Sequence, residues 1–441
     1  MKKVQLLLYS ILFTGSVSAQ QLSPEAAFER ALAQNPALLQ EKVNLELAQL
    51  KVRQSRQAWI GRIDGSIDTR YNLARQTLVL PAEAFGGTPG QFRNIQQGTP
   101  WVMTPALDLT QPLYKPVLQG DILTAGAELT RAETAFGEKT LNTRYDVYTA
   151  YLKLALSEEK LKQMQAGLEK YTAEKERLQS RYNEGRALRT ELDKALLNER
   201  LAVSDLSKAR TEQERASADL SRTLGDSVLV TTYSTGGLET FYESEMKNVP
   251  AGNADLSQSF AVIKARNSYD ENTVQQKTNR LKYAPDINFY GRLATQGFRE
   301  QFDFYKTSQQ WYGYSYLGLE IKMPIFDGLD KKRNQDRLRL EQQKLALART
   351  QQLQQASYDY SDAGWQYRTA AEDVANRRTD LELAGRILEE NRKLQQEGRA
   401  TETELRDSEK TLNDTRMNLM NALSDQLKAL FLQRKVRGSW E

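Results

Sequence analysis

The sequence predicts a mainly α-helical chain with a small β portion, built as two tandem copies of one unit. Three observations lead there. Gln, Leu, Ala, Glu, Lys and Arg dominate long stretches and the mean hydropathy is −0.65, a composition of long helices and coiled coils rather than of compact globular domains. The stretch RYNEGRALRTEL at 181–192 returns at 394–405 as LQQEGRATETEL, with seven of the twelve positions identical. Between the helical segments the hydrophobic period changes to two.

Residues 1–19 are set aside first. Lys2 and Lys3, an apolar run from Val4 to Phe13 and Val17-Ser18-Ala19 have the pattern of a secretory signal peptide cleaved after Ala19, and the run is much shorter than the roughly 20 residues that span a bilayer. The mature chain is therefore expected to be exported. It has no cysteine, so it has no disulfides, no thiolate metal sites and no lipid-modified cysteine to tether it. It has no histidine either, the commonest general base and metal ligand. No catalytic constellation is found, and neither an enzyme nor a cofactor is expected. Net charge is +4, or about +2 without Lys2 and Lys3, which gives no basic field for nucleic acid.

The first copy is assigned to residues 20–225, an inter-copy connector to 226–252 and the second copy to 253–441. Gln111-Pro112-Leu113-Tyr114 resembles Met323-Pro324-Ile325-Phe326, and the interval from Pro112 to Gly225 equals that from Pro324 to Gly438 within one residue, as a duplication requires. The opening helix is expected from Pro24 to Trp59 behind the cap Ser23, with Asp255–Tyr283 as its counterpart. Val117–Glu184 contains no proline and would form a helix near 100 Å long. Its positions seven apart, Val147, Leu154, Leu161, Leu168, Lys175 and Tyr182, interleave with Ala150, Ser157, Met164, Tyr171 and Leu178, the seam of a coiled coil. The second copy follows with Tyr360, Tyr367, Val374, Leu381 and Leu388, interrupted by Arg377 and Asn391. Each long helix ends at a Glu-Gly-Arg corner, and helices over Leu188–Leu224 and Thr401–Lys435 are expected to run back. Gly185 and Gly398 suit the left-handed conformation of such a reversal. A simple turn leaves the recurrence of Arg186/Arg399 and of Thr190-Glu191-Leu192 unexplained.

Strands are expected in hairpins over about 62–111 and 286–322. Ile63, Gly65, Ile67, Thr69 and Tyr71 alternate with Asp64, Ser66, Asp68, Arg70 and Asn72; Ile287, Phe289, Gly291 and Leu293 alternate with Asn288, Tyr290 and Arg292. Trp101–Gln111 and Trp311–Lys322 return, while Leu73–Pro100 and Thr295–Gln310 read as surface loops. Strands of this length, apolar on one face and polar on the other, with aromatics near their ends, match an outer-membrane barrel or a half-buried soluble sheet. Four strands cannot enclose a barrel, and lipid does not tolerate an open edge. Three chains would supply twelve.

With the signal peptide, Asn35-Pro36-Ala37-Leu38, the strand hairpins before long helices and the Gly-Arg corners in this order, the mature chain resembles the TolC-like family of outer-membrane efflux and secretion channels (outer membrane factors). The resemblance implies a homotrimer in outer-membrane lipid: a twelve-stranded β-barrel continuous with an α-helical barrel crossing the periplasm. Residues 226–252 and the C-terminal residues would help form a collar. It implies that the corners, Gly185 and Arg186 with Gly398 and Arg399, are tips that dock on a periplasmic adaptor, which links the channel to an inner-membrane pump. It places Glu404 and Asp407, with Glu191 at the first-copy position matching Glu404, at the periplasmic aperture. The family's latch arginine, two positions after the second glycine, is here Ala400, with Arg399 beside it.

Other classes predict different features. A periplasmic adaptor would have one helical hairpin between Gly-rich β halves. An exported coiled-coil scaffold or adhesin-like protein would have the helices without the four alternating strands.

Overall fold

The computed structural model describes residues 20–227, 233–247, 249, 255–306 and 308–440. The predicted signal peptide lies outside them, as do Thr231, Thr232 and Pro250 of the predicted connector. The chain is mainly helical and divides into two compact units, one holding residues up to Leu45, Ala132–Arg266 and those from Ala348, the other Glu46–Arg131 with Asn267–Leu347.

The expected opening helix is broken in two, α1 (Pro24–Gln34) and α2 (Pro36–Gln57). Ser23 caps α1 by accepting from the Ala26 N–H at 3.2 Å. Asn35 makes the break, because a residue before proline is disfavoured in helical geometry. Its Oδ1 accepts from the Ala37 and Leu38 N–H groups at 3.0 and 3.2 Å, and its Nδ2 donates to the Thr223 carbonyl at 2.8 Å. The counterpart helix starts later than expected. A 3₁₀ turn at Leu256–Gln258 and an extended Ser259 precede α6 (Phe260–Leu281).

The long helices α3 (Pro116–Asn183) and α7 (Asp330–Gln396) have 68 and 67 residues, and their successors α4 (Arg189–Leu224) and α8 (Glu402–Arg437) 36 each. All eleven expected seam positions of α3 are buried or half-buried, which is what a seven-residue repeat accomplishes. Lys175, the charged member, pairs with Glu199 of α4 at 2.6 Å. Arg377, the interruption in α7, pairs with Asp373 and Asp380 on its own helix at 3.2 and 3.4 Å.

The first unit's core gathers Phe28, Tyr148, Phe241, Phe431 and Trp440. The Tyr148 ring lies 4.8 Å from Trp440 and 5.4 Å from Phe431, edge-to-face contacts that favour aromatic packing. Burial pushes its hydroxyl up to about 12. The short helix α5 (Leu238–Met246) joins this core, tied to α8 by the Tyr242 hydroxyl donating to Gln426 at 2.6 Å and by a buried Glu245–Arg434 ion pair. Ahead of α5, β6 (Tyr233–Ser234) pairs in parallel with β1 (Gln20–Gln21). Asp226 accepts from Arg30, Ser221 and Tyr233.

In the second unit β2 (Arg62–Tyr71), β5 (Trp101–Tyr114), β7 (Asp286–Arg299) and β8 (Tyr312–Lys322) form an antiparallel sheet in the order β2-β5-β7-β8. Strand β7 extends into the segment expected as a loop. The expected loop 73–100 also carries structure: β3 (Gln76–Pro81) and β4 (Phe92–Gln97) make a separate antiparallel pair. Its alternation is easily missed, because only Leu78, Leu80 and Ile95 are even half-buried. A polar ladder joins α6 and α7: Gln276 bonds to Asn272 and Gln342, while Gln335 bonds to Gln276 and Asn279.

Candidate functional site

Three groups of residues bear on function: the two faces of the four-stranded sheet, the two corners and the charges beyond them. Residues alternate across a strand, and the register puts odd-numbered positions of all four strands on one face. Ile63, Ile67, Leu107, Leu293, Leu317 and Leu319 lie there, each more than half exposed. That is a contiguous apolar surface of a kind a soluble protein seldom leaves bare. The even-numbered face is polar. Arg292 holds Asp108 across the β5–β7 pair with two hydrogen bonds at 2.6 and 2.9 Å, Arg62 pairs with Asp64 at 2.7 Å and Lys322 with Glu320 at 2.9 Å. Strands β2 and β8 are each paired on one side only within this sheet, so two rows of backbone donors and acceptors are left for another chain.

Both corners have the same helix-ending hydrogen bonds. Gly185 has φ +72° and Gly398 φ +73°. The Arg186 N–H donates to the Arg181 carbonyl at 2.8 Å and the Gly185 N–H to Tyr182 at 3.0 Å; Arg399 and Gly398 repeat this with Leu394 and Gln395 at 2.8 and 2.9 Å. This is the Schellman arrangement, which needs a left-handed residue at the glycine position. The flanking residues pair over the turn, Arg186 with Glu184 at 3.3 Å and Arg399 with Glu397 at 3.4 Å. Around both glycines the space is open, with nothing within 4 Å of where a Cβ would stand.

The recurrence beyond the corner has a local cause. Glu404 reaches back to the Thr401 N–H at 2.7 Å and its hydroxyl at 2.9 Å, and the Thr401 hydroxyl accepts from the Glu404 N–H at 3.3 Å. That reciprocal pair is a capping box, and its signature, Thr-x-x-Glu, is readable in the sequence. The hydrogen bonds from Thr401 hold the Glu404 carboxyl below the usual carboxylate range. Glu191 makes half of the same arrangement, accepting from the Leu188 N–H at 3.1 Å; leucine has no hydroxyl to return. Glu191, Glu404 and Asp407 are all exposed, and Asp407 has no ion pair among the described residues. Two of the three carboxylates expected at an aperture thus engage helix starts, and only Asp407 is uncommitted.

Sequence reasoning missed a set of ion pairs between α3 and α8. Arg177 meets Glu402 at 2.5 Å, and further along the two helices Glu174 pairs with Arg406 and Lys170 with Glu409. Gln163 donates to the Asn413 carbonyl at 2.9 Å. They join the first helical hairpin to the return helix of the second, beginning four residues past Gly398, although Ala400 supplies no latch arginine. Spacings of three, four and seven on each helix put these charges on one stripe, but pairing of the two stripes needs the tertiary arrangement.

No described helix is long and apolar enough to cross a membrane. Residues 27–226 match the outer membrane efflux protein family. A comparison with curated proteins returned no match. Among solved structures, the chain is similar to CusC, described in terms of folding and transmembrane channel formation, at 16% identity over 96% of each chain with a TM-score of 0.72. It is similar to the CmeC outer membrane channel of Campylobacter jejuni at 13% identity over 99% of this chain and 94% of that one, TM-score 0.70. The outer membrane protein VceC of Vibrio cholerae is 16% identical over 95% and 97%, TM-score 0.66. The family match thus covers residues 27–226, and along nearly its whole length the chain has the fold of these solved outer-membrane channel structures.

Proposed function

We propose that the protein is the outer-membrane exit duct of a tripartite efflux or type I secretion system. Three chains, each a tandem duplication, close a twelve-stranded barrel in the outer membrane and an α-helical barrel in the periplasm. The observation that carries this reading is the four-stranded sheet: an exposed apolar face, a charge-paired polar face and two unpaired edges. In lipid such edges must be satisfied, and joining β8 of one copy to β2 of the next keeps every pair antiparallel. The apolar face then meets lipid and the polar face lines the lumen. A scaffold or adhesin would have no use for that division.

The two corners, Gly185-Arg186 and Gly398-Arg399, serve as docking tips for a periplasmic adaptor, supported by their shared geometry and open surroundings. Asp407 lines the aperture, and Glu404 and Glu191 add charge beside it while capping their helices. The α3–α8 ion pairs hold the hairpins together. The mature protein, extracted from outer membranes in mild detergent, should be a trimer and should conduct ions in a planar bilayer. A soluble monomer would overturn the assignment. Crosslinking from the tips should capture an adaptor, and capture of none would remove the docking role.

A further inference from the structure

The polar face of the sheet carries a run of aromatic rings that pairing of charges does not explain. Tyr312, Tyr314 and Tyr316 stand on the even-numbered face of β8, between 40% and 52% exposed. The Tyr314 and Tyr316 rings are stacked with centroids 6.5 Å apart, Tyr316 meets Tyr290 of β7 edge-on at 6.0 Å, and Phe298 meets Tyr312 at 5.9 Å. The three tyrosines extend over about 13 Å of β8 at 3.3 Å per residue. Tyr290 has a structural duty, since its ring lies across Gly318, where a Cβ would stand 2.7 Å from it. Tyr312, Tyr314 and Tyr316 cover no such gap. They also sit on the wrong face to form the aromatic belts that outer-membrane barrels present to lipid.

We infer that this stripe is a binding track for planar aromatic cargo, with cationic ring systems favoured, lining the lumen of the barrel. The inference rests on the proposed channel, in which the polar face encloses the lumen. Half-exposed rings offer flat faces for stacking, and the electron-rich face of tyrosine attracts cations. The even-face bases of β7 and β8, Arg292 and Lys322, are matched by Asp108 and Glu320, so these two add little positive field against such a molecule. Contacts of this kind are individually weak, and a series of them lets cargo step along the wall.

The test uses the purified trimer in planar bilayers, with ethidium as probe and tetraethylammonium as a cation of the same charge without aromatic rings. Wild type should show ethidium dwell events that tetraethylammonium lacks. Joint replacement Tyr314→Leu and Tyr316→Leu, which keeps bulk but removes the π faces, should shorten the ethidium dwell by about tenfold or more, the order expected for losing two stacking partners. The pair Tyr314→Phe and Tyr316→Phe should stay within about twofold of wild type because the rings remain. Conduction with an unchanged ethidium dwell in the Leu variant overturns the track and leaves the channel standing. Loss of trimer in the Leu variant would assign the rings to packing between chains and also overturn it. Failure of wild type to conduct would sink the channel reading and the track together.

Discussion

Four glycines end the hairpin helices in the left-handed conformation, and their surroundings divide them into two pairs that should respond differently to alanine. Gly185 and Gly398 stand in open space, so alanine there costs only the positive φ, about 1 kcal/mol each. Gly225 (φ +87°) and Gly438 (φ +86°) carry the same backbone cost, but a Cβ at Gly225 would lie 2.7 Å from the Asn35 Cα and the Gln34 carbonyl, and at Gly438 2.5 Å from the Gln258 carbonyl. These neighbours are backbone at the breaks before α2 and α6, so they cannot rotate away. The chain must shift by several tenths of an ångström, and the total penalty should reach roughly 4 kcal/mol or more. The assay is the lifetime of the folded protein at a fixed elevated temperature, followed by helical circular dichroism. Each about 1.4 kcal/mol that is already lost at the barrier shortens the lifetime tenfold. Gly185→Ala and Gly398→Ala should change it by less than about tenfold, while Gly225→Ala and Gly438→Ala should lower the yield of folded protein outright. Equal effects at the four positions would refute the argument from close approach.

Other expectations follow from the same geometry. Thr401→Ala should destabilise the second hairpin by about 1 kcal/mol, the usual cost of a lost cap, and hydrogen exchange near residues 402–405 should report it locally. Because the Glu404 pKa is lowered in the folded chain, its contribution is present above the ordinary carboxylate range and lost as pH falls through the folded value. Glu404→Gln should therefore flatten the acid limb of stability as pH falls through and below the ordinary carboxylate range, and an unaltered limb would exclude the capping role. In single-channel recordings, Asp407→Ala should reduce cation selectivity and block by a trivalent cation more than the control pair Glu389→Ala and Glu390→Ala, with the difference shrinking at high salt; equal effects would make Asp407 an ordinary solvated residue. Glu245→Gln should cost roughly 3–5 kcal/mol by removing the carboxylate charge opposite buried Arg434, and the double replacement Glu245→Leu with Arg434→Met should recover much of that loss in thermal unfolding.

Periodicity determined the long helices and the four strands of the main sheet. A seven-residue repeat in α3 and a two-residue alternation in β2 and β7 are written in residue order, and local sterics decide which backbone can place those residues on one face. The left-handed glycines at the corners were legible for the same reason, since a helix reversal is a local event. The breaks at Asn35 and Ser259 were less visible. Asn-Pro was a local signal that could have been weighted more heavily, but Ser259 becomes extended where Gly438, far along the chain, lies against its backbone. The Glu191 and Glu404 assignments show the converse. The repeated sequence drew attention to them, and Thr401-x-x-Glu404 carries a local cap signature, but Leu188 before Glu191 carries none, and the structure turns both carboxylates back to cap helices. The α3–α8 ion pairs depended wholly on tertiary structure. They join residues remote in sequence, and no local preference specifies which helix faces or strand edges meet. That choice is made collectively by the burial of apolar faces and the pairing of backbone groups over the whole fold.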